Sequence, residues 1–177
     1  MSGEFTTIGL IGKYGDPTVG ETLLHISEEL AKHNCNVMLE AETASKIGDL
    51  KLPVASLEKI GTECDLAIIV GGDGTLLNAV RNLIDYNVPI MGINLGRLGF
   101  LVDVSPDEMA MRFDELFEGK FEEEHRIILT ATVEHVDGKI VENDAFNDVV
   151  VHKWDVARMI ETETYINGKF LNSMRAD

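Results

Sequence analysis

Cationic side chains are scarce in this chain: 15 Lys and Arg stand against 31 Asp and Glu, a formal charge of −16 over 177 residues. That balance argues against non-specific binding to nucleic acid or to an anionic membrane, since both need a cationic face. It still admits a nucleotide, because main-chain amides, a few arginines and Mg²⁺ can build a local positive site. Otherwise the excess acids are a solvated, solubilising surface. Cysteine is scarce too. Cys35 and Cys64 stand alone, outside any paired metal-ligand spacing, which suits a reducing compartment and two small buried side chains. The histidines at 25, 33, 125, 135 and 152 form no cluster, so no zinc site and no protein-held metal is expected. No apolar run reaches the roughly 20 residues of a membrane helix. The first residues carry no basic-then-apolar signal, and a cytoplasmic location is the expectation. Repeats and low-complexity tracts are absent as well.

What the chain does have is Leu66-Ala-Ile-Ile-Val70 running straight into Gly71-Gly72-Asp73-Gly74-Thr75. A β-branched run, a glycine turn and a following segment of helical spacing read as buried strand, tight turn, helix. Asp73 then sits at the carboxyl end of a strand, where open α/β sheets bind ligands. Bare glycines let main-chain amides approach a phosphate closely. A carboxylate among them suits a metal ion, a sugar hydroxyl or the proton of an attacking hydroxyl. The bland alternative is a glycine turn with a capping aspartate.

Further strands are expected at 6–12, 36–40 and 88–93, with helices at 18–33 and 75–86. Residues 42–61 carry no clear period; Pro53 breaks any long helix, and Ser56 is a candidate cap for a helical turn before Gly61. The near-continuous apolar strands suit a parallel sheet covered on both faces. A second glycine loop, Asn94-Leu95-Gly96-Arg97-Leu98-Gly99-Phe100-Leu101, comes after the 88–93 strand. Both glycine loops should open on one edge of the sheet. Phe100 either lines a ligand pocket there or packs into a domain junction. Ser105-Pro106-Asp107-Glu108 is a strong helix start, with the helix ending near Gly119.

Beyond residue 120 the pattern turns to strands and hairpin signals: 125–135, a turn at Val136-Asp137-Gly138-Lys139, 140–152, 159–166, then Asn167-Gly168 and Lys169-Phe170-Leu171. The fold class expected is an α/β domain with a parallel sheet over 1–120, followed by an incomplete antiparallel all-β domain over 121–177. Few strands with an open edge make a poor independent domain, and the β part reads as unfinished. Asn147 and Asp148 fall in the strand-like stretch 145–151, although adjacent strand residues point to opposite faces. Either they form a turn, or they hold a ligand, an amide reading an adenine edge and a carboxylate accepting from ribose hydroxyls. Arg158, Arg175 and Asp177 read on their own as exposed, solvated charges.

Taken together, Gly71-Gly-Asp-Gly-Thr75, Gly92-Ile-Asn-Leu-Gly-Arg-Leu-Gly-Phe-Leu101, Asn147-Asp148 and Arg175-Ala-Asp177 resemble, in order and over nearly the whole chain, the bacterial type of NAD kinase. The first element is shared with lipid kinases and phosphofructokinases; its combination with the others is more specific. The resemblance implies transfer of the ATP γ-phosphate to the 2′-hydroxyl of the adenosine ribose of NAD, giving NADP. By that resemblance Asp73 takes the hydroxyl proton and Gly74 contributes its backbone. Phe100 lies against the dinucleotide, Asn147 and Asp148 hold the adenine nucleoside, and Arg158, Arg175 and Asp177 complete the site, which should lie between the two parts. Mg²⁺ accompanies ATP, and the full-length family forms homo-oligomers, dimers or tetramers. The family also continues past the aspartate matching Asp177 with a Thr-Pro-Thr-Gly-Ser-Thr-Ala-Tyr-like stretch and further strands, so the 177 residues are expected to be truncated. Two alternatives stay open: a lipid kinase of the same Gly-Gly-Asp-Gly superfamily, or a non-catalytic nucleotide-binding fragment.

Overall fold

The computed structural model describes residues 5–13, 18–48, 50–95, 99–102, 104–152 and 159–176. They divide into two compact units, Met1–Ile127 and Ile128–Asp177.

The first unit is built on a five-stranded parallel sheet ordered β3-β2-β1-β4-β5. Its strands are β1 (Thr7–Gly12), β2 (Asn36–Glu40), β3 (Val54–Ala55), β4 (Leu66–Val70) and β5 (Ile90–Ile93). The helices between them are α1 (Thr18–Lys32), α2 (Ala41–Ile47), α3 (Leu57–Glu63) and α4 (Asp73–Leu83), with α5 (Met109–Phe117) coming after β5. Every residue of β4, and all of β1 after Thr7, is buried. That is why these strands read as unbroken apolar runs rather than alternating ones. Ile8 and Leu10 of β1 and Leu66, Ile68 and Val70 of β4 share one core with Leu23, Ile26 and Leu30 of α1 and Met109, Phe113 and Leu116 of α5. The intervening strand residues face the other side, where α3 and α4 pack against each other and against β1 and β4.

The region without a clear period, 42–61, contains α2, the two-residue β3 and the start of α3. Seven residues show no convincing periodicity, so α2 is invisible without its cap. Its cap is Glu40, whose buried carboxylate accepts from the main-chain N–H of Glu42 at 2.7 Å and of Thr43 at 2.6 Å. Ser56 does cap α3, its Oγ accepting from Lys59 N–H at 3.2 Å, but the helix runs through Gly61 to Glu63. At the start of α5, Ser105 Oγ donates to Glu108 Oε2 at 2.8 Å, and a 3₁₀ turn over Pro106–Glu108 leads into the helix. Gly119, at φ +73°, lies just past the end of α5.

The second unit holds two separate two-stranded antiparallel ladders among its described residues, β6 (Leu129–Glu134) with β7 (Ile140–Ala145), and β8 (Ile160–Ile166) with β9 (Lys169–Ala176). The turns are those the sequence signals. Gly138 has φ +82°, and Asp137 Oδ1 accepts from Lys139 N–H at 3.0 Å. Asn167 and Gly168 both have positive φ, 51° and 74°, as a two-residue hairpin loop requires. The strand expected over 140–152 stops at Ala145.

Candidate active site

Strands β4 and β5 run parallel with Val70 opposite Ile93, so the glycine loops at their carboxyl ends leave the same edge of the sheet. The Gly71 N–H donates to the Ile93 carbonyl at 2.9 Å, joining the two loops at their base. Gly72 is the N-cap of α4, and Asp73 begins the helix itself. The helix therefore starts two residues earlier than its apolar period suggests. A carboxylate in the first turn is favoured by the positive end of the helix dipole.

The Asp73 side chain reaches across to the second loop. Its Oδ2 accepts from Phe100 N–H at 2.9 Å, and its Oδ1 accepts from Leu101 N–H at 3.1 Å. The Phe100 amide, helped by those of Leu101 and Val102, holds the carboxyl below its ordinary value, since hydrogen bonds to the charged form favour it. Gly99 makes the approach possible: a Cβ there would collide with the Asp73 carboxylate. At Gly72 and Gly74 the opposite holds, for among the described residues a Cβ at either would meet nothing within 4 Å. Both glycines flank a fixed, ionised carboxylate at the start of α4.

Phe100 is fully exposed, so its ring is not packed as a core residue. Asn147 and Asp148 lie in the exposed bend after β7, not within a strand, and Asn147 Nδ2 donates to Asp148 Oδ1 at 3.1 Å. The correction has a physical reason: β7 ends at Ala145, opposite the first residue of β6, so residues 146–148 have no β6 partner left to pair with. Arg175 sits on β9 directly across from Glu161, with Arg175 Nη2 3.5 Å from Glu161 Oε2 and both side chains exposed. Arg158 and Asp177 lie outside the described residues. Of the sequence-derived site residues, Asp73, Gly74 and Phe100 come together within the first unit.

Sequence reasoning gave no role to two residues of this site, Gly99 and Asn94. Asn94 is buried at the base of the second loop. The signal for it was a polar amide directly after an apolar strand, ahead of a glycine-rich turn. Among the described residues no group of three or more His, Cys, Asp or Glu could hold a metal ion. The cysteines are free thiols, and burial pushes that of Cys64 up to about 11, so Cys64 is not a thiolate nucleophile at neutral pH. Burial raises the Cys35 thiol as well.

Comparison with known proteins adds three findings. The family model for the ATP-NAD kinase N-terminal domain matches residues 8–121. An NAD kinase of Aromatoleum aromaticum is 45% identical over 178 residues, covering 100% of this chain and 59% of the relative, and one of Nitrosomonas eutropha is 43% identical, covering 98% and 58%. The crystal structure of yeast NADH kinase complexed with NADH superposes with a TM-score of 0.82 at 22% identity, over 98% of this chain and 56% of that one, a likeness of fold. The chain thus spans a little under 60% of the length of these curated relatives.

Proposed function

The chain belongs to the NAD kinase family, the premise from which we propose that it transfers the γ-phosphate of ATP to the 2′-hydroxyl of the adenosine ribose of NAD, giving NADP. The observation that carries this reading is the Asp73 carboxylate, ionised and fixed by the Phe100 and Leu101 amides, at the start of α4 between Gly72 and Gly74.

The Phe100 and Leu101 amides take one acceptor position on each carboxylate oxygen, the Val102 amide adds a third contact, and a carboxylate offers about four such positions. The remaining position takes the ribose hydroxyl. A carboxyl held below its ordinary value is a weak base, so Asp73 acts first by orienting the hydroxyl and receives its proton late, as phosphorus–oxygen bond formation advances. Loose phosphoryl-transfer transition states ask mainly for such positioning and charge stabilisation. The amides of the Gly72–Gly74 turn, at the N-terminus of α4, face the phosphates. Phe100 offers an exposed ring for a base to stack on. Asn147 and Asp148 are proposed for the adenine nucleoside, with Arg158, Arg175 and Asp177 for the rest of the dinucleotide. Mg²⁺ enters as MgATP, part of the donor substrate, since Mg²⁺ is commonly held largely by substrate phosphates and water. A homo-oligomeric, cytoplasmic enzyme is proposed with the family.

The test is NADP formation from MgATP and NAD, with diacylglycerol as the competing acceptor. NADP production abolished by Asp73→Asn supports the reading. Phosphorylation of diacylglycerol instead would make it a lipid kinase. NAD bound without turnover, with affinity untouched by Asp73→Asn, would make it a binding fragment.

A further inference from the structure

We propose that Asn94 is a positioning residue for the reaction, clamping the loop that carries Phe100 and Leu101 against the Asp73 carboxylate.

Asn94 directly succeeds the last residue of β5, and it is only 5% exposed. Its side-chain Nδ2 donates to the Val102 carbonyl at 3.1 Å, and its main-chain N–H donates to the Val104 carbonyl at 2.8 Å. Ile93 and Val104 form a parallel bridge just below. The second glycine loop is thereby closed at its base by one residue. Phe100, Leu101 and Val102 are then held from two sides: Asp73 takes the first two amides, and Asn94 takes the carbonyl of the third. A buried amide is costly without a partner, and here the Asn94 side chain and the Val102 carbonyl satisfy each other. Without the Asn94 donor the Val102 carbonyl loses a partner, the segment is free to rotate, and the amides that fix Asp73 drift from it. Asn94 touches no substrate; it acts through the loop.

The catalytic half of this proposal rests on the kinase reading, while the structural half does not, and the experiment separates them. In the unaltered 177-residue chain, native-state hydrogen exchange should show the Asn94 side-chain amide opening together with the Phe100 and Leu101 amides. In Asn94→Ala, and in Asn94→Asp (which keeps the shape without the donor), the Asp73 carboxyl followed by ¹³C NMR should move up towards its ordinary value. The Asp65 carboxyl, held by amides at the other end of the sheet, should stay depressed and report that the fold survives. Independent opening in the unaltered chain, or an unmoved Asp73 in a folded variant, overturns the clamp. If NADP is formed, Asn94→Ala should lower kcat by at least about tenfold with the KM for NAD held within about threefold, since misplacement of a reacting group by about 1 Å costs rate rather than binding. Loss of the clamp with kcat unchanged overturns the catalytic half alone.

Discussion

Asp73 engages both carboxylate oxygens with main-chain amides, and this decides what its replacement does. An asparagine offers one acceptor oxygen and one NH₂ group, so one of the two amides would face a donor. Asp73→Asn should therefore loosen the second glycine loop as well as remove the carboxylate, and NADP formation should fall by at least about 10²-fold with the far-UV CD unchanged. The same contacts set the pH dependence. The carboxyl is held below its ordinary value, so the ionised, amide-bound form persists as pH falls through the usual carboxylate range and is lost only below it. An acid limb for Asp73 at or above its ordinary value, read by ¹³C NMR, would contradict the geometry. Gly74 gives the reverse pattern. It lies inside α4 with open space where a Cβ would go, and glycine costs a helix about 1 kcal/mol against alanine. Gly74→Ala should thus leave urea stability equal or up to about 1 kcal/mol higher, while reducing turnover if the proposed phosphate site lies against Gly74.

At the scale of elements, short side-chain caps do what periodicity cannot. Glu40 ends β2 and begins α2, and Thr43, whose Oγ1 donates to Glu40 Oε2 at 2.7 Å, accepts in turn from the Gly12 N–H at 3.0 Å. One buried carboxylate thereby ties the ends of β1 and β2 to a seven-residue helix. Glu40→Ala strands the buried Thr43 amide and should cost about 1.5–3 kcal/mol, the range for hydrogen bonds to charged groups, seen as a lower urea midpoint. At the opposite end of the sheet, Asp65 Oδ2 accepts from Thr6 N–H and Thr7 N–H, both at 2.9 Å, linking the starts of β1 and β4. The Thr6 main-chain hydrogen bond leads in lowering its pKa. A depressed folded pKa contributes stability above the unfolded value that is lost as pH falls through the folded one. Asp65→Asn should hence flatten the acid side of the stability–pH curve, and an unaltered curve would show the contact to be idle. Helix α1 and strands β1, β2 and β4 were legible because each has a full apolar period or run. Helix α2 and strand β3 were not, since their order comes from caps and neighbours rather than from a pattern of their own.

For the whole molecule, burial is distributed unequally. The buried apolar side chains among the described residues lie between Ile8 and Leu116, all in the first unit. The second unit instead exposes Val133, Ile140, Tyr165, Ile166, Phe170, Leu171 and Met174 on its two ladders. Isolated two-stranded ladders are marginal in water. Residues 1–127 expressed alone should therefore unfold cooperatively in urea with a midpoint close to that of the whole chain. Residues 128–177 alone should lack a cooperative transition by CD. A fragment 1–127 that fails to fold would show that the core depends on more than its own helices.

Composition, apolar runs and turn residues by themselves determined a parallel sheet of β1, β2, β4 and β5, the helices α1, α4 and α5, the hairpin turns and the glycine loop that carries Asp73, because each is set by local stereochemistry and by which side chains avoid water. Only the tertiary structure decided that Asp73 is held by Phe100 and Leu101, that Asn94 closes the loop beneath them, and that β7 ends before Asn147. Those outcomes depend on which hydrogen-bond partners the packed strands bring within reach, and separation along the chain carries no record of that distance.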